Sequence, residues 1–403
     1  MWALAAVLFF LQAADPAAEG MKALEAGNYE AAVQAFRKAL EADPKDYAAH
    51  FNLALAHGFL HQDEDGIAEY QKTLELKPGL YEAELNQAIL LLRQKRPAEA
   101  APLLESAAGQ KPKEFRPRYY LAEAQLAGGA ADKAGESFRL ALELDPKSAA
   151  AELGLAHVLA QQGKTAEAAP HFRQAAQLDP KYRTSLLELA QLYEKSQQPA
   201  QAMAIYREFP EDVAATEHLG HLLLDNKQYA EAVAPLEQAY RRDPTVAGLV
   251  ALAMAYLFSQ QSDKAVPLLD KAVAADPGNF ELRMMYARAL RDRKQLPEAA
   301  RQFGEAVKVK PGDAGAWSNL ASVLYLTGDY EQSLAAFVRA QQLGEDTPGN
   351  WFLRAIILDK LRQLKPALEA YQKFLSTSQG KNPDQEFQAR QRVRIIQREL
   401  ERH

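Results

Sequence analysis

Five prolines stand at equal spacing, Pro44, Pro78, Pro112, Pro146 and Pro180, each 34 residues after the last. After one interval shortened by four residues, ending at Pro210, the series resumes at Pro244, Pro277 and Pro311. A period of this length marks one supersecondary unit repeated along the chain. It overrides the two or three unlike domains that 403 residues would otherwise suggest. Repeated units of this kind bury their side chains against one another, which offers no obvious place for a catalytic constellation but leaves a long surface free.

Numbering each unit so that its proline is position 32 aligns three further columns. Position 8 is small throughout (Gly20, Ala54, Ala88, Ala122, Ala156, Ala190, Gly220, Ala253, Ala287, Ala321, Ala355). Position 20 is small as well, from Ala32, Gly66 and Ala100 to Ser333 and Ala367. Position 24 is always large: Phe36, Tyr70, Leu104, Phe138, Phe172, Tyr206, Leu236, Leu269, Phe303, Phe337 and Tyr371. Two small columns let a pair of helices approach closely, and the large column fills the space between them. Apolar residues at spacings of three and four make both halves of the unit helical, as with Leu121, Ala122, Gln125 and Leu126, then Ala134, Phe138, Ala141 and Leu142. Gly27, Gly129, Gly163 and Gly328 fall at position 15, where the first helix should end in a left-handed residue. Pro97, Pro199, Pro297 and Pro366 suit the start of the second helix. Helices this short are marginal alone, so the units must stack.

This arrangement of small, large and proline positions resembles the tetratricopeptide repeat. Repeat 10 carries it in Trp317, Leu320, Ala321, Phe337 and Ala340, and repeat 1 in Gly20, Gly27, Tyr29, Ala32, Phe36, Ala39 and Pro44. The resemblance covers residues 13 to 379 in some eleven units. It implies an all-α fold, an α-α superhelix of about eleven helix pairs with a concave inner groove. The expected organisation is a leader over 1–14, repeats 1–6 over 15–212, repeats 7–11 over 213–379, and a linker with a capping helix over 380–403. The early Pro210 shortens the second helix of repeat 6, with either a kink or only a shorter loop as the result. Ser376 to Pro383 reads as a polar linker. Beyond it Ala389, Val393, Ile396 and Leu400 form the apolar stripe of a last helix, whose arginines (Arg390, Arg392, Arg394, Arg398, Arg402) make it a solvated cap or a basic arm.

Composition narrows the function. The net charge is −6 with no basic run, which argues against nucleic acid. There is no cysteine, hence no disulfide, thiolate metal site or thiol catalysis. Trp2 to Leu11 is an uncharged apolar run too short to span a bilayer, followed by small residues suited to cleavage near Ala13 or Ala14. It reads as an export signal, which places the protein in a bacterial periplasm; the alternative is a cytoplasmic chain with this run packed as a helix.

No residues read as catalytic, and no cofactor or metal site is expected. Gly163-Lys164-Thr165 lies in a turn between helices rather than after a strand. His57 and His61 share a helix face without a metalloenzyme signature around them. The resemblance implies that first-helix positions 2, 5, 9, 12 and 13 line the groove. On this chain those include Phe51, Leu55, Phe59, Leu85, Ile89, Leu92, Tyr119, Met254, Phe258, Met284, Tyr325 and Phe352, with His157 and His221 as groove histidines. Glu188, Gln191, Glu194 and Glu217 interrupt this apolar lining. Family members that clamp a C-terminal carboxylate use Lys and Asn on successive first helices; Asn52 and Asn86 here lack the lysines. The expected function is a non-enzymatic scaffold holding a peptide or partner segment, with no nucleic acid and no small-molecule substrate. The alternative is a spacer or assembly subunit acting through its convex face.

Overall fold

A computed structural model describes residues 15–345 and 347–401. The leader, with its expected cleavage site, lies outside the described residues. Among them the chain forms eleven helical hairpins and one terminal helix, with no strand. Within each unit the main contacts run between successive helices, as expected of a stack whose members touch only their neighbours.

The sequence columns account for the packing. Position 8 and position 20 alanines such as Ala54, Ala156, Ala168 and Ala299 are fully buried, and Phe138, Phe172, Phe303 and Phe337 of position 24 are fully buried beside them. Where serine replaces the position 20 alanine, the Ser333 hydroxyl donates to the Ala321 carbonyl of position 8 at 2.7 Å. Two columns of a hairpin are thus tied directly, and a buried hydroxyl is satisfied. Most first helices begin on side-chain caps: Asp46 accepts from the amides of Ala48 and Ala49 at 2.8 and 3.1 Å, and Asp212 from Ala215 at 2.8 Å.

Position 15 is left-handed in every repeat. Glycine holds it at Gly27, Gly129, Gly163 and Gly328, with φ between 72° and 87°. His61, Lys95, Gln197, Lys227, Gln260, Lys294 and Arg362 adopt the same conformation, with φ between 55° and 64°. The hairpin geometry therefore imposes this backbone even on residues that resist it.

The second helix of repeat 6, Pro199–Tyr206, has 8 residues where its counterpart in repeat 5, Thr165–Leu178, has 14. The chain divides inside this shortened helix into two compact units, one ending at Ile205 and the other beginning at Tyr206. The last hairpin departs from the expected linker. Its second helix, Leu364–Ser378, includes Ser376 and Thr377, whose hydroxyls donate back to the Lys373 carbonyl at 2.8 and 2.9 Å. The link is only residues 379–382. The terminal helix, Pro383–Glu401, buries Ala389 and Ile396 against the last hairpin, with Val393 and Leu400 beside them. Arg392 donates to both oxygens of Asp359 at 2.7 and 2.6 Å, so this arginine fastens the cap.

Candidate functional site

In the unit after Tyr206, the first helix of repeat 8 is Val246–Phe258, with the sequence VAGLVALAMAYLF. It contains no charged residue. One face supplies Leu249, Leu252, Ala253 and Tyr256 to the core. Packing does not use the other face: Val246 and Phe258 are exposed, while Val250, Met254 and Leu257 are half-buried. A helix apolar on both faces but packed on one leaves an apolar surface in water.

This surface floors a cleft of about 670 Å³ between the first helices of repeats 7 (Val213–Asp225), 8 and 9 (Phe280–Asp292). Val250, Met254, Phe258 and Met285 are the main apolar contributors. Phe258 lies against Tyr229, which opens the second helix of repeat 7, with ring centroids 4.9 Å apart. The rim carries Asp225, Asp276, Glu281 and His221, and no Lys or Arg lines the cleft. Asp225 and Glu281 are exposed and form no hydrogen bond or ion pair among the described residues. Past Phe258 and Met285 a second cleft of about 440 Å³ brings in Arg288, Arg291 and Asp292. Arg291 is held by Asp292 and Asn319.

The unit ending at Ile205 repeats the aromatic pairing in a smaller form. Tyr29 stacks on Phe59 at 4.6 Å, and Phe59 stays half exposed. The adjoining cleft, about 210 Å³, is lined by Leu55, Ile89, Arg93 and Arg116 among others. Arg93 is tied to buried Asp63. His157 lies elsewhere in this unit, with its Nε2 3.0 Å from Glu188. Beside it, burial pushes the Glu123 carboxyl above its ordinary range, and burial also raises the Tyr119 hydroxyl.

Of the expected groove residues, the structure gathers His221, Met254 and Phe258 into one cleft and Leu55, Phe59 and Ile89 into another. Leu92 is half-buried. Two expectations are corrected: Leu85 and Met284 are each only 3% exposed and present no lining surface. Both occupy position 5, as does Val250, which by contrast lines the cleft. Phe51 sits edge-on to Tyr70, Tyr119 to Phe138 and Phe352 to Tyr371 in the same way. Phe352 is likewise nearly buried, against Phe374 at 4.8 Å. Tyr325 pairs with Tyr330 at 6.0 Å, apart from both clefts. His57 is buried with its Nδ1 2.6 Å from the Gln62 side chain, and among the described residues no group of side chains has the makings of a metal site. The residues missed by sequence reading are Asp225, Tyr229, Val246, Met285 and Glu281. Asp225 and Glu281 stand at positions 13 and 2, so the groove positions pointed to this location, whereas Tyr229, Val246 and Met285 lie off them.

Comparison with known proteins bears on residues 17–350 of the array. Profiles described as tetratricopeptide repeat match residues 17–81, 85–149 and 287–350 in one form, and 159–222, 223–289 and 259–303 in another. A stretch of 100 residues is 30% identical to the human protein O-mannosyl-transferase TMTC1, covering 24% of this chain and 11% of that protein. The chain thus spans about a tenth of the length of this curated relative. Among solved structures, MamA from Desulfovibrio magneticus RS-1 (residues 41 to the end) is 22% identical over 41% of this chain and 94% of its own, with a TM-score of 0.40. A second MamA structure, MSR-1 C2, is 26% identical over 41% of this chain and 95% of its own, with a TM-score of 0.39.

Proposed function

Because the chain belongs to the tetratricopeptide-repeat family, we propose that it is a non-enzymatic scaffold that holds a segment of another protein on the first-helix face of repeats 7–9. The observation that supports this reading is the first helix of repeat 8. Its outward residues Val246, Val250, Met254 and Phe258 are apolar beyond anything the stack requires. The rim of Asp225, Asp276 and Glu281 selects a segment that carries Lys or Arg among apolar anchors. An amphipathic helix laid in a groove has this chemistry.

A photoreactive phenylalanine analogue at position 258, compared with one at Arg301 on the second helix of repeat 9, tests the proposal in native extract. Partners cross-linked from 258 and not from 301 support it. The reverse pattern would move the function to the convex face, as a spacer or assembly subunit. Export to the periplasm belongs to the same proposal, on the strength of the apolar run Trp2 to Leu11. N-terminal sequencing of the mature protein checks it: a start near residue 15 is expected, and a retained Met1 rejects cleavage.

A further inference from the structure

The terminal helix has a second face that the cap does not use. A helix covering the end of a stack needs only a polar outer side, yet Phe387 is 64% exposed, the most exposed large apolar side chain among the described residues, and Ile395 is 41% exposed. Phe387, Gln391, Arg394 and Arg398 follow one another at four, three and four residues, which places them on a single stripe with Ile395 beside it. The stripe lies opposite the buried Ala389 and Ile396. Arg394 and Arg398 have no ion pair among the described residues, whereas Arg390 is paired with Glu386 and Arg392 with Asp359.

This face matches the cleft of repeats 7–9 in chemistry. The cleft offers an apolar floor and the unpaired carboxylates of Asp225 and Glu281; the helix offers two apolar side chains and two unpaired guanidinium groups. Asp225 adds a second sign. It is the last residue of its helix, where the helix dipole disfavours a carboxylate, so fold stability does not account for an acid there. The cations Arg288 and Arg291 line the adjoining cleft, which shares Phe258, Glu281 and Met285 with this one.

We infer that the terminal helix of a second copy of this chain docks in the repeat 7–9 cleft, with Phe387 and Ile395 on Met254, Phe258 and Met285, and Arg394 and Arg398 facing Asp225 and Glu281. The inference rests on the proposed binding role of that cleft and names one occupant for it. The two surfaces differ, so two copies either exchange helices reciprocally about a two-fold axis or add head-to-tail in a growing series. Its strength falls with added salt.

Sedimentation velocity of the full chain tests this with two charge-reversal variants, Asp225→Lys/Glu281→Lys in the cleft and Arg394→Glu/Arg398→Glu on the helix. Wild type is expected to form dimers or larger species as concentration rises. Each variant alone is expected to associate at least about 10-fold more weakly. Mixed in equal amounts, the two variants should associate again, because the intact helix of one meets the intact cleft of the other and the reversed helix meets a cleft reversed to match it. Recovery in the mixture also shows that both variants are folded. A monomeric wild type overturns the inference. So does a cleft variant that still dimerises, since that places the contact between two terminal helices. If wild type stays monomeric while the probe at 258 captures a segment of another protein, only this inference fails. If the chain is monomeric and the probe captures nothing, the cleft reading falls with it.

Discussion

Replacing Gly154 with alanine sets two effects of opposite sign against each other. Gly154 lies inside the first helix of repeat 5, Ala149–Gln161. In a solvent-exposed helix the change would stabilise by about 0.8–1 kcal/mol. Here an added Cβ would stand 2.3 Å from Cζ of Phe138 and 2.4 Å from Cε1. Carbon atoms settle at about 3.5 Å or more, so the ring or the helix must retreat by roughly 1.2 Å. Phe138 is fully buried at position 24 of the preceding repeat and retreats only against packed neighbours. Overpacking of this kind costs about 1–3 kcal/mol. With an overlap above 1 Å we take the upper end, and the net loss comes to about 2 kcal/mol after subtracting the helix-propensity gain. Denaturant unfolding followed by circular dichroism measures the total. Hydrogen exchange places the loss, because in a stack it should concentrate in repeats 4 and 5. Phe138→Leu in the same chain should recover at least half of it, leucine being the residue already present at Leu104, Leu236 and Leu269. A Gly154→Ala protein as stable as wild type, or more stable, would refute the close approach of these two repeats.

Three further outcomes are expected. Phe258→Asp should leave the fold intact, with a loss below about 1.5 kcal/mol from the half-exposed ring and its contact with Tyr229, while abolishing cross-linking of partners from a probe at Met254. Lys227→Gly should stabilise the unit after Tyr206 by about 0.5–1 kcal/mol in denaturant unfolding, because φ at Lys227 is 60°. Glu386 is held below its ordinary carboxylate range by hydrogen bonds from the Ser378 hydroxyl, the Gly380 amide and Arg390. A carboxylate lowered in this way stabilises the fold at pH above its unfolded value of 4.5 and loses that contribution as pH falls through the depressed one. Trp351 belongs to the cluster that the terminal helix covers. Its fluorescence should report release of that helix in acid, and Glu386→Gln should show the released signal at neutral pH.

The periodic features of this fold are legible because stacking repeats the same demand. Positions 8, 20 and 24 must be small, small and large wherever two hairpins meet, so their columns show in a single sequence. Position 15 is less legible: the left-handed turn is announced at Gly129 or Gly163 and hidden at His61 or Gln260, where the surrounding hairpin overrides local preference. The groove was legible only in part. Position 5 was assigned to the inner face, and Val250 does line the cleft there, but Leu85 and Met284 at the same position disappear into the core. Asp225 and Tyr229 come together with Phe258 from different repeats, and no spacing within one repeat reveals that. Ser376 and Thr377 looked like a linker because their composition is polar, yet their hydroxyls return to the Lys373 carbonyl and let the helix continue.

The most direct test of the account is hydrogen–deuterium exchange of the full chain, alone and with a partner captured from position 258. Protection confined to the first helices of repeats 7, 8 and 9, strongest at Val246–Phe258, is the predicted result. Protection on the second helices instead, with Val246–Phe258 unchanged, would contradict it.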